Sequence, residues 1–131
     1  MGDKSQSKEN SFDLIESSII EILKSDSQHF IFLTGAAGTG KSTLLEHARN
    51  QLDLKKMIVA PTGVAALNIG GNTINSAFRI GFDTIPEITK SKDPRFGKLL
   101  KNLELLIIDE ISMVRAPMLD AISQSLQIHR N

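Results

Sequence analysis

Four residues at fixed spacing, Gly35, Gly40, Lys41 and Ser42, fill the pattern G-x-x-x-x-G-K-[ST]. The chemistry this serves is phosphate binding. Backbone NH groups of such a loop surround phosphate oxygens, the lysine ammonium reaches the terminal ones, and the serine hydroxyl suits a magnesium ion. The glycines admit torsions that a side chain forbids and let the main chain come close to the oxygens. A helix opening near Lys41 would aim the positive end of its dipole at them. The bland alternative is a mere glycine turn. Further along, Asp109 and Glu110 stand together in the apolar run "LELLIIDEISMV", Leu103 to Val114. Downstream of a phosphate loop, two such acids suit two tasks: Asp109 in the magnesium shell, Glu110 orienting or deprotonating an attacking water. Alternatively, they only cap the turn that follows.

The elements that must position these residues are legible in the pattern. The run Phe30 to Leu33 predicts a buried strand before the loop, and Leu44, Leu45 and Ala48 predict a helix after it. The apolar run within Leu103 to Val114 predicts a parallel strand covered on both faces, with the acids at its carboxyl end, where open α/β sheets place ligands. Upstream, Phe12, Ile15, Ile19, Ile22 and Leu23 fall on one helical face, capped by Asn10 or Ser11, and this helix is expected to pack on the sheet beside the first strand. Lys56 to Ala60 predicts a second strand stopped by Pro61. Ala65, Ala66 and Leu67 suit a short helix ended by Gly70 and Gly71, and Ile74, Ala77 and Phe78 a further helical turn or two. Pro86 and Pro94 break any long element, "RFGKLLKNL" suits a short helix, and Pro117 fits the first turn of a last helix with Leu119, Ile122 and Leu126 inward.

With 131 residues, 40% of them hydrophobic, residues 11–131 form one domain able to bury a core, though short for a nucleotide-hydrolysing one. The polar opening, 1–10, reads as a solvated, mobile tail without the apolar stretch of a signal peptide. No apolar run approaches a membrane span. Fifteen basic residues balance fifteen acidic ones, so any polyanion site must be local. The most basic stretch, Arg79 to Lys101, carries Arg79, Lys90, Lys92, Arg95, Lys98 and Lys101 against Asp83, Glu87 and Asp93. A solvated loop explains that excess as well as a DNA path does. The absence of cysteine excludes disulfides, thiolate metal sites and cysteine nucleophiles, and fits a cytosolic protein.

Three runs in order, "FIFLTGAAGTGKSTLL", "APTGVAALNIGGNTINSAF" and "LLIIDEISMVRAPMLDAI", resemble the PIF-type DNA helicases, a RecD-like branch of superfamily 1B that unwinds DNA 5′ to 3′. The second and third runs are the specific ones, and the resemblance spans Phe30 to about Ile122. It implies an α/β, three-layer, RecA-like P-loop ATPase domain with a parallel sheet, using ATP and Mg2+. Gly35, Ala36, Ala37, Gly38, Thr39, Gly40, Lys41, Ser42 and Thr43 would hold the nucleotide, Ser42 and Asp109 the metal, and Lys41, Asp109 and Glu110 would be catalytic. The resemblance also implies that Pro61, Thr62, Gly63, Asn75 and Ser76 lie along single-stranded DNA, with Phe78 either stacking on a base or in the core.

The chain departs from the family pattern in three places. Asn75 stands where histidine is common, the adenine-reading glutamine is not found in Ser11 to Lys24, and Asn131 precedes the sensor motif, the completing arginine and the second RecA-like domain expected in cis. In such sheets the strand after the acid pair inserts between the phosphate-loop strand and the acid-bearing one. Phe30 to Thr34 and Leu105 to Asp109 are therefore expected about 10 Å apart with facing backbone groups unpaired. The expectation is the N-terminal piece of an ATP-dependent DNA helicase, cytoplasmic in a bacterium and nuclear or mitochondrial in a eukaryote. Replication, repair, recombination, and telomere or plasmid maintenance all remain open as its pathway. The alternative is a non-catalytic nucleotide-binding module lacking its partner domain; a small-molecule P-loop kinase is disfavoured because it needs neither "DEISM" nor "APTGVAA".

Overall fold

The computed structural model describes residues 3–35 and 40–131, organised as two compact units, 1–53 and 54–131. The first unit holds helices α1 (Asp3–Lys24) and α2 (Lys41–Gln51), packed on each other. Helix α1 begins inside the stretch expected to be a tail. Residues 3–10 include lysine, glutamine and glutamate, good helix formers, and extending an existing helix costs far less than nucleating one.

The covered stripe of α1 is Glu16, Ile19, Ile20 and Leu23, at the i, i+3, i+4, i+7 spacing of one helical face, while Leu14 (69% exposed), Ile15 (48%) and Ile22 (39%) face outward. The predicted face is therefore turned by about one residue. A buried carboxylate takes the place expected of Ile15, because α2 supplies its partners: Gln51 Nε2 donates to Glu16 Oε1 at 2.9 Å, and His47 Nδ1 lies 3.6 Å from Glu16 Oε2.

The strand predicted at Phe30 to Leu33 does not form. Residues 28–35 have no regular structure, and Phe30 (95%), Ile31 (41%) and Phe32 (74%) are exposed. A strand exists only through a ladder, and among the described residues the first unit offers no second strand. The predicted pair of facing strands, Phe30 to Thr34 and Leu105 to Asp109, is therefore absent as such.

The second unit is a parallel α/β arrangement. Strand β1 (Lys56–Ala60) is central, with β2 (Asn72–Thr73) on one side and β3 (Leu105–Ile108) on the other, both parallel to it. The short β2 is the one strand the sequence pattern did not announce. Register aligns Val59 with Asn72 and with Ile108. Backbone bonds extend the β1–β3 ladder at both ends, from Glu104 N to Lys55 O (2.8 Å) and from Asp109 N to Val59 O (2.9 Å).

Between β1 and β2 runs α3 (Gly63–Asn68), and α4 (Ile74–Phe78) follows β2 directly. Gly71 is fixed by proximity: a Cβ there would sit 2.4 Å from the Ile58 carbonyl oxygen. Helices α5 (Pro94–Lys101) and α6 (Ala116–Arg130) pack on each other. The core gathers Val59, Ile74, Phe78, Ile80, Phe96, Leu100, Ala121 and Ile122, each large side chain contributing about 1.5–3 kcal/mol. Along α6 the buried face runs through Ala121, Ile122, Ser125 and His129, so Leu119, expected inward, is 45% exposed. No helix among the described residues is long and apolar enough to cross a membrane.

Candidate functional site

In the first unit the phosphate-loop pattern does open a helix. Gly40 has φ of 89°, a conformation that L side chains rarely adopt, and α2 starts at the next residue, with Leu44 N bonding back to Gly40 O at 2.9 Å. The first turn carries no acidic side chain, so nothing on it opposes an anion at the positive dipole end. Lys41, half-buried, donates from Nζ to the carbonyl oxygen of Gly35 and so folds back onto the loop. Ser42 and Thr43 are exposed on the opening turn. Ala36, Ala37, Gly38 and Thr39, expected to cradle phosphate, lie outside the described residues.

In the second unit β3 delivers its acids as expected. The Asp109 amide is fixed by Val59 O, and Asp109 is half-buried at the carboxyl end of the strand. Glu110 then takes the left-handed conformation, φ 54° and ψ 45°, and turns the chain into the short 3-10 segment Ile111–Met113. Its exposed side chain makes no capping bond, so Glu110 does not cap that turn. A non-glycine residue in this region costs about 1–2 kcal/mol, and such strain concentrates where function requires a particular placement. The Ser42 hydroxyl and the Asp109 carboxylate are each, taken singly, a hard oxygen donor of the kind magnesium prefers.

Most of the residues predicted to touch DNA lie on the β1–α4 segment, with different freedom. Thr62 is half-buried and caps α3, its hydroxyl oxygen accepting from Ala65 N at 3.2 Å while its own O–H remains able to donate. Gly63 is exposed, beside half-buried Pro61, and a Cβ at Gly63 would meet nothing within 4 Å. Ser76 is exposed; its amide donates to Thr73 Oγ1 at 3.2 Å, capping α4. One expectation changes and one alternative is decided. Asn75 donates both of its side-chain N–H groups inward, to Ile80 O and Gly81 O at 3.1 Å each, so none is left for a phosphate. Phe78 is 3% exposed within the core and has no face to offer a base.

Sequence reasoning missed a clamp at the end of α4. Arg79, left-handed at φ 55°, bonds Asp93 at 3.0 Å and lies 4.4 Å over the Phe96 ring. Asp93 also caps α5, accepting from Arg95 N at 2.9 Å. The Arg79 hydrogen bond, followed by the Arg95 amide, holds the Asp93 carboxyl below the usual carboxylate range. "Asp-Pro" opening a helical pattern was the available signal for the cap; nothing local marked Arg79 as its partner. Behind Phe96, buried His129 completes the arrangement: Nε2 accepts from Ser91 N at 2.9 Å and Nδ1 bonds Ser125 O at 2.7 Å, which fixes the Nδ1–H tautomer.

A family model described as PIF1-like helicase matches residues 6–131. "ATP-dependent DNA helicase Pif1" of Bdellovibrio bacteriovorus is 42% identical over 105 residues, covering 76% of this chain and 23% of that protein. The crystal structure of Bacteroides sp Pif1 in complex with ADP-AlF4 superposes with a TM-score of 0.77 at 38% identity, covering 87% of this chain and 27% of that one. Bacteroides Pif1 bound to ssDNA gives a TM-score of 0.75 at 36% identity, with the same coverage of 87% and 27%. The chain thus spans about a quarter of the length of these relatives. By the breadth of the family match, which takes in nearly the whole sequence, the chain belongs to the PIF1-like helicases.

Proposed function

We propose that this chain is the ATP-binding, RecA-like part of a DNA helicase that couples ATP hydrolysis to 5′ to 3′ unwinding. The observation that carries this is the opening of α2 directly behind Gly40, with Lys41 as its first residue and no acid in its first turn. Lys41 exchanges the Gly35 carbonyl for terminal phosphate oxygens. Ser42 and Asp109 would hold Mg2+, which would supply charge neutralisation at the transferring phosphoryl group. Glu110 orients the attacking water and takes its proton. Single-stranded DNA runs along Thr62, Gly63 and Ser76, where two hydroxyls and exposed backbone meet its phosphates. The Bacteroides relatives solved with ADP-AlF4 and with ssDNA support both halves of this proposal. A helicase of this kind acts where DNA is, the cytoplasm of a bacterium or the nucleus or mitochondrion of a eukaryote, with a second RecA-like domain in cis.

Titration calorimetry of MgATP into the chain and its Lys41→Ala variant tests the assignment. Binding should fall by tenfold or more in the variant, since the ammonium aimed at the terminal phosphates is gone. Equal affinity in both proteins would refute the site.

A further inference from the structure

We propose that the outer face of α5 is a second DNA contact, holding the phosphate backbone of duplex DNA. This rests on the DNA reading above and adds a surface that the strand-contact segment does not include. Helix α5 turns Phe96 and Leu100 inward, and its exposed side presents Arg95, Lys98 and Lys101 at three-residue spacing, with exposed Lys92 just before the Asp93 cap. Among the described residues no carboxylate pairs with Lys92, Lys98 or Lys101; Arg95 lies 3.8 Å from Asp93, whose charge is already engaged by Arg79 at 3.0 Å. Of the six basic residues in this part of the sequence, Arg95, Lys98 and Lys101 therefore share one helix, with Lys92 just before it.

The row fits duplex better than single-stranded DNA. From Arg95 to Lys101 it covers about 9 Å at about 1.5 Å per residue. One strand of a duplex carries a phosphate about every 3.4 Å of axis, so the row meets two or three phosphates. Single-strand sites combine cations with aromatic platforms, and α5 offers none: its one aromatic, Phe96, is buried beneath Arg79. A duplex keeps its bases stacked inside and asks for cations alone. The Arg79–Asp93 bond joins the end of α4 to the start of α5, so the row begins where the segment bearing Ser76 ends.

The test uses the whole chain, a 20-base-pair duplex and oligo(dT), with fluorescence anisotropy across a range of NaCl concentrations. Replacing Lys92, Lys98 and Lys101 with glutamine should weaken duplex binding and flatten its log K against log salt slope by about 0.9 for each phosphate no longer neutralised, while leaving oligo(dT) affinity unchanged. Arginine at the same three positions should restore both. An unchanged duplex slope, with oligo(dT) still bound, overturns the α5 proposal alone. A parallel loss on both DNAs overturns it too, reducing the row to general charge. Binding of an acidic peptide, but not of duplex, that the same substitutions abolish would give the face to a protein. No binding of either DNA by the parent chain refutes the DNA reading and this proposal with it.

Discussion

Replacing Gly71 with alanine should destabilise the β-sheet unit, whereas the same change at Gly63 should stabilise it. At Gly71 the added Cβ would lie 2.4 Å from Ile58 O, 3.0 Å from Ile58 C and 3.1 Å from Ile58 Cγ2, where ordinary contact begins near 3.4 Å. Two of those three atoms are main chain of the central strand, so β1 or the segment entering β2 must move by about 1 Å. Overpacking of this kind costs about 1–3 kcal/mol, and the backbone neighbours put this case in the upper half of that range. The narrower unfolded ensemble of alanine returns about 0.4–1 kcal/mol, which leaves a net loss of about 1–2.6 kcal/mol. At Gly63, the first residue of α3, a Cβ meets nothing within 4 Å, so only the favourable term remains. With a urea dependence of about 1–3 kcal/mol per molar, the two midpoints should separate by about 1 M. Urea unfolding followed at β1 amide resonances measures this directly. Midpoints that move together, in either direction, would refute the argument from close approach. The functional consequence is local, because Gly71 sets β2, and Thr73 at the end of β2 caps the helix that carries Ser76.

Other substitutions probe the site residues. Glu110→Gln should leave MgATP affinity unchanged while removing a base, so loss of binding in calorimetry would make Glu110 structural. Glu110→Gly should instead raise stability by roughly 1 kcal/mol, the relief of a left-handed residue less glycine's unfolded-state entropy; a lower urea midpoint would contradict this. Asp93 is held below its ordinary pKa, so the stability it contributes is present above about pH 3.9 and is lost as pH falls through its folded value. Urea midpoints at pH 7 and pH 3 should therefore differ less in Asp93→Asn than in the parent, and an unchanged acid loss would sink the assignment.

Elements with explicit punctuation were legible in the chain. Pro61 ended β1 where expected and the glycine pair closed α3, because each acts on its own backbone. Where the outcome depended on a distant partner, the pattern misled. The run at Phe30 looks like a strand, yet a strand requires a neighbour that local sequence cannot display. The inward face of α1 was misplaced because Glu16 finds its partners on α2, and that of α6 because His129 is satisfied by the amide of Ser91. The helix opening behind Gly40 and the strand ending at Asp109 were readable since each is set within a few residues. Asn75 was not, because its amide serves carbonyls that only the folded turn brings within reach.

The buried carboxylate of α1 has a consequence for how the helix pair is indexed. Two helices joined only by isoleucine and leucine side chains fit almost as well after sliding by one turn, about 5.4 Å. Glu16 removes that degeneracy. Its two oxygens find Gln51 and His47 in one phase only, and any slip leaves a carboxylate covered and unmatched, at a cost of about 3–5 kcal/mol. The same polar contact that adds little net stability thus selects one alignment among near-equals, as a lone polar residue does in a coiled-coil seam. Glu16→Leu should keep the helices paired yet admit more than one phase, seen as doubled amide resonances along α1; a single set would show that apolar shape alone aligns them.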